Sequence, residues 1–144
     1  MILITRPPED AANMQEILQK SGHDVFLEPM LGISVLYPKI PESSFYITTS
    51  NHAQAHVPQH GQCLNIPQNG KNASELLNFI LANFNTSDGK FTYLRGAEIT
   101  LDIKTALQNK GFDADEVVVY KTTKPAQFSQ NLLDKIYQIK VATF

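Results

Sequence analysis

Hydrophobic positions along this chain switch repeatedly between a strand-like run and a helix-like stripe. Ile2-Leu3-Ile4-Thr5 is a short apolar run stopped by Pro7-Pro8, which reads as a buried strand leading into a helix. From Asp10 the apolar positions Ala11, Met14, Ile17 and Leu18 share one helical face. Ser21-Gly22 ends that helix, since Gly suits the left-handed position after a last turn. Asp24 to Leu27 starts a second strand, limited by Pro29, and Ile33 to Tyr37 is another strand candidate. Phe45 to Ser50 reads as a strand running into hydroxyl residues. Leu76, Leu77, Ile80, Leu81 and Phe84 form an amphipathic helix, with Asn72 as N-cap and Glu75 three residues on as in a capping box. Asn51 to Gln62 has no clear period and reads as a loop.

The first design recurs 89 positions on, without a gap. Phe91 to Arg95 stands on the first strand, with Arg95 on Arg6. The helix end Leu107-Gln108-Asn109-Lys110-Gly111 stands on Leu18-Gln19-Lys20-Ser21-Gly22, and Asp113 on Asp24. Asp115 to Tyr120 is then a strand of the same type as Asp24 to Leu27. This spacing predicts an internal repeat of strand–helix–strand units. Lys140 to Phe144 begins like Phe45 to Ser50, with no helix after it, so the second copy is expected to be cut off. Alternating strands and helices predict an α/β fold with mostly parallel sheets, flanking helices and right-handed crossovers.

Composition narrows the function classes. The 144 residues are 42% hydrophobic and 18% charged, enough for one core or one small domain and part of another. Twelve basic residues against 14 acidic ones give a net charge of −2, and the basic residues are scattered singly, so no nucleic-acid partner is expected. Cys63 is alone, which excludes an intramolecular disulfide and a cysteine metal knuckle. No apolar run approaches the roughly 20 residues that span a bilayer, and the N-terminus lacks a signal-peptide pattern. The expectation is a cytoplasmic protein with no membrane partner. His52, His56 and His60 are spaced for one helix face, but Pro58 interrupts it and no carboxylate joins them, so no metal is expected. Signatures for dinucleotides, nucleoside triphosphates and serine hydrolysis are missing.

Ligands of open α/β sheets gather at the carboxyl ends of strands. Three segments have that character. Thr48-Thr49-Ser50-Asn51 offers hydroxyls and an amide, or else caps the following helix. Arg95-Gly96 follows a strand, with Gly96 allowing close backbone approach; Arg95 could instead pair with Glu98. Asn72-Ala73-Ser74 opens a helix whose free N–H groups suit an anion, although Asn72 also serves as a plain cap. Tyr120, near the end of a strand, could reach a cleft or simply pack in the core.

The ordered series of Leu3 to Pro7, Leu18…Gly22, Glu28-Pro29 and Tyr46 to Asn51 resembles the uroporphyrinogen-III synthase family. It continues through Asn72 to Leu77, Leu94-Arg95-Gly96, Leu107…Gly111 and Val119 to Thr122. The resemblance implies a cofactor-free, monomeric lyase of haem and other tetrapyrrole synthesis. Its substrate would be the small molecule hydroxymethylbilane, cyclised to uroporphyrinogen III with inversion of the last pyrrole ring. It further implies two α/β domains: residues 1–36 begin the first, 40–120 build the second, and 124–144 return into an incomplete first. Tyr120 would be the catalytic proton donor. Thr49, Ser50, Asn72, Ala73, Ser74, Arg95 and Gly96 would meet the substrate's carboxylates. Family members carry a strand–helix unit after the Thr-Thr-Ser-Asn segment, which the short Asn51 to Gln62 stretch is expected to lack. They also continue past Phe144. An inactive α/β small-molecule-binding or scaffold module of the same ancestry is therefore the alternative.

Overall fold

Short β-branched and aliphatic runs form the strands here, and prolines, glycines and hydroxyl caps delimit the helices between them. The computed structural model describes residues 1–66 and 72–144. In order, the elements are β1 (Ile2–Ile4), α1 (Pro8–Lys20), β2 (Val25–Leu27), β3 (Gly32–Val35), β4 (Phe45–Thr48), α2 (Asn51–Gln54) and β5 (Gln62–Asn65). Then follow α3 (Ala73–Asn83), β6 (Phe91–Gly96), α4 (Ile103–Gln108), β7 (Ala114–Thr123), α5 (Gln130–Lys135), a 3-10 turn at Ile136–Gln138, and β8 (Val141–Thr143).

The chain divides into two units, Met1–Ser34 with Thr122–Phe144, and Val35–Lys121. In the first, β1 pairs in parallel with β2 on one side and β8 on the other. Glu28 accepts bonds from both the backbone N–H and the hydroxyl of Ser129, each at 2.8 Å. That contact ties the returning segment to the start of the chain. The same Ser129 hydroxyl caps α5 by accepting from Leu132 N–H.

The larger sheet has the order β3-β7-β6-β4-β5, with β4, β5, β6 and β7 joined by parallel pairings. Alternation along its strands sends side chains to two faces. One face buries Ile47, Phe91 and Tyr93 against Leu76 and Ile80 of α3 and Ile103 and Leu107 of α4. The other gathers Tyr46, Leu94 and Val119 around Ala53 of α2. The architecture is thus mixed α/β with mostly parallel sheets and flanking helices, as the periodicity indicates.

The 89-residue spacing reappears in the hydrogen bonds. Gly22 N–H donates to Gln19 O, His23 N–H to Leu18 O and Ile2 N–H to Asp24 O. Their counterparts Gly111 N–H to Gln108 O, Phe112 N–H to Leu107 O and Phe91 N–H to Asp113 O are all present. Gly22 and Gly111 share a left-handed backbone, with φ of +80° and +85°. A side chain there is disfavoured by about 1–2 kcal/mol. Gly22→Ala and Gly111→Ala are each expected to lower stability by roughly 1 kcal/mol in urea unfolding, whereas Ser21→Ala, with a φ of −83°, avoids that backbone penalty.

The reading of Asn51 to Gln62 as a loop lacking a strand–helix unit needs correction. Ser50 accepts a hydrogen bond from Ala53 N–H and caps α2, and β5 pairs in parallel with β4. The crossover is present in shortened form. At four residues α2 is too short for a periodicity signal, and Gln62-Cys63-Leu64-Asn65 has too few apolar positions to announce a strand. Helix α5 was likewise not legible as a separate element.

Candidate functional site

Parallel register brings the carboxyl ends of four strands to one edge of the larger sheet. Thr48 pairs with Asn65 on one side and Leu94 on the other, and Gly96 pairs with Tyr120. Thr49, Ser50, Arg95, Gly96 and Tyr120 therefore share an edge, although they do not all meet.

Thr48 to Asn51, Gln54, Asn65 and Ile66 line a pocket of about 280 Å³. Its polar groups are hydroxyls and amides, which can both donate and accept, and none carries a charge. Such a lining can solvate a carboxylate without a fixed cation. The Asn65 amide donates to Gln54 Oε1 at 3.4 Å across the pocket wall. Behind it, Thr49 Oγ1 lies 3.2 Å from the Tyr93 hydroxyl. Tyr93 is buried, and loss of solvation pushes its phenol above the ordinary range. It stays protonated and can donate to Thr49. Sequence reasoning missed Gln54, Asn65 and Tyr93.

Asn72 caps α3 by accepting from Glu75 N–H at 3.1 Å, Ala73 packs on the core face of the sheet, and Ser74 is exposed. Asn72, Ala73 and Ser74 are not among the described residues that line this pocket.

Arg95 is held by a partner the sequence did not suggest. Its Nε donates to Glu116 Oε2 at 2.8 Å and its Nη2 to Glu116 Oε1 at 3.2 Å, in place of a pair with Glu98. Its Nη1 donates to Gly96 O at 2.9 Å and Ala97 O at 3.1 Å. Lys104 Nζ, from α4, reaches Glu116 Oε1 at 3.1 Å. Hydrogen bonding from Arg95 holds the Glu116 carboxyl below its ordinary range, and Glu116 in turn raises the Arg95 guanidinium. A depressed carboxylate pKa contributes stability above the unfolded value of about 4.3. That contribution fades as pH falls through the folded value. Glu116→Gln should therefore melt below the wild type at pH 7, and the gap should close under acid; a gap unchanged by pH would contradict the pairing.

Tyr120 is half-buried on the opposite face, with its ring centroid 5.6 Å from that of His52. A Cβ on Gly96 would lie 2.7 Å from Tyr120 Cε2 and Cζ and 2.9 Å from its hydroxyl. Gly96 is thus required for close approach to this ring. Among the described residues no cluster of three or more His, Cys, Asp or Glu could hold a metal ion, and α2 is too short to align His52 with His56 and His60.

A family profile described as uroporphyrinogen-III synthase HemD matches residues 48–144, more than half of the chain. The chain belongs to the uroporphyrinogen-III synthase family. A crystal structure of uroporphyrinogen-III synthetase from Helicobacter pylori 26695 has the same fold, with a TM-score of 0.53 and 14% identity. That likeness covers 90% of this chain and 64% of the H. pylori chain. No curated protein matches by sequence. Uroporphyrinogen-III synthases are lyase-type enzymes of porphyrin and haem biosynthesis that act on hydroxymethylbilane. No described helix here is long and apolar enough to cross a membrane.

Proposed function

We propose that the protein is a uroporphyrinogen-III synthase, a cytoplasmic monomer that closes hydroxymethylbilane to uroporphyrinogen III. The observation that carries this reading is the carboxyl edge of the larger sheet, where an uncharged hydroxyl and amide pocket opens beside β4 and β5 and the half-buried Tyr120 phenol lies on β7 opposite Gly96. The Tyr120 phenol supplies the proton with which the substrate's hydroxyl departs as water. Attack by the far pyrrole on the resulting azafulvene gives a spiro centre, which fragments and recloses with that ring inverted. The proton lost on final closure restores the phenol.

Thr49, Ser50, Asn65 and Gln54 accommodate a substrate carboxylate, and the α3 N-terminus at Asn72 to Ser74 meets another. Holding the flexible tetrapyrrole in one folded shape is the main task, because orientation alone can supply several kcal/mol of the barrier. The domain division follows the same reading: residues 1–36 and 124–144 build one domain and 40–120 the other.

Analysis of the product isomers formed from hydroxymethylbilane tests the proposal. Within the pocket, Asn65→Leu is expected to raise KM several-fold with little change in kcat, since loss of one polar contact costs about 1 kcal/mol. An unchanged KM would remove the pocket from substrate binding. Tight tetrapyrrole binding with no isomer selection would favour the scaffold reading instead.

A further inference from the structure

The guanidinium of Arg95 is turned back onto its own strand end rather than held out for a ligand. One donor goes from Nε, two from Nη1 and one from Nη2, so four of the five N–H groups of an arginine are engaged. A substrate carboxylate could not take the fork without displacing Glu116. The pair is also well shielded, with side-chain exposures of 15% for Arg95 and 20% for Glu116.

The register of β6 against β7 slips between Arg95 and Gly96: Arg95 opposes Val118, whereas Gly96 opposes Tyr120. Such a register shift re-aims the side chain beside it. Here the Arg95 fork spans the slip, with Glu116 below and the carbonyls of Gly96 and Ala97 above. Two contacts then pass from this turn to Tyr120. The Gly96 backbone lies against the Tyr120 ring, and Ala97 N–H donates to Tyr120 O at 2.9 Å.

We infer that Glu116 is a positioning residue for Tyr120. Clamped between Arg95 and Lys104, it fixes the Gly96–Ala97 turn on which the Tyr120 ring rests. Its functional weight rests on the reading of Tyr120 as proton donor, while the geometry can be tested without it. In this account Arg95 acts through its backbone turn and not as a ligand for the substrate.

The test uses the full chain labelled with 13C at the tyrosine rings. Five tyrosines are present, and Tyr37 and Tyr137, 90% and 98% exposed, serve as internal references. Tyr120→Phe assigns the Tyr120 signal. Glu116→Gln and Arg95→Lys are each expected to shift that signal and leave Tyr37 and Tyr137 in place.

With hydroxymethylbilane, both variants should lose roughly 10- to 100-fold in kcat at constant KM, the scale of a slightly misplaced reacting group. The double variant should be no worse than either single one, because the two residues act as a unit. An unmoved Tyr120 signal in both variants would overturn the inference. So would a raised KM with unchanged kcat in Arg95→Lys, which would make Arg95 a substrate ligand. If the wild-type chain proves inactive, the ring signal still decides the positioning while the proton-donor reading falls by itself.

Discussion

Phe91→Ala is expected to destabilise the protein by about 3–5 kcal/mol, the range for removing a buried aromatic ring. Phe91 is fully buried at the start of β6. Its ring centroid lies 4.8 Å from Phe45, 5.7 Å from Phe84 and 5.5 Å from Phe112, so four aromatic side chains from separate stretches of the chain meet at one point. Whole-domain stabilities are about 5–15 kcal/mol, so the loss takes a large share of the total. Urea unfolding followed by circular dichroism reads it as a lower midpoint. A loss below roughly 1 kcal/mol would mean that this aromatic cluster is not the packing centre. Tyr137→Ala provides the contrast, since that ring is 98% exposed and its removal should be nearly neutral.

Tyr120→Phe should lower kcat by about 100-fold or more, the contribution of a positioned general acid. The substitution removes only the hydroxyl. The ring that touches His52 and rests on Gly96 remains, so the fold and KM should be kept. Unchanged turnover would take the proton-donor role away from Tyr120. A higher KM at constant kcat would recast it as a binding residue.

Much of the fold was legible because period and punctuation agree at the long elements. The stripe from Ala11 to Leu18 and that from Leu76 to Phe84 lie in helices or at their ends, bounded by Pro8, Gly22 and Asn72. The repeat was readable for the same reason: a Gly forced to positive φ must recur wherever the same helix end recurs, as at Gly22 and Gly111. Short elements escaped. Four residues of α2 cannot display a 3.6-residue period, and β5 carries polar Gln62 and Asn65 at its ends because they border a pocket and solvent.

The site was legible only where backbone logic dictates it. Asn72 stood out as a cap and is one, and of Thr48 to Asn51, read as a binding segment or a cap, Ser50 caps α2. Gly96 stood out as a place where a ligand could approach the backbone, and in the structure the Tyr120 ring occupies that side of it. The partner of Arg95 did not stand out. Glu116 is 21 residues away in sequence and comes within reach only through the β6–β7 register, which no local pattern encodes. Tyr93 was hidden similarly, because its bond to Thr49 joins β6 to the bend that follows β4.

Isomer selection distinguishes an active synthase from an inactive relative. The purified chain is mixed with freshly prepared hydroxymethylbilane, the product is oxidised, and the type I and type III uroporphyrins are separated and counted. Type III is expected to form in proportion to protein and faster than spontaneous closure. Type I alone, at the uncatalysed rate, would contradict it.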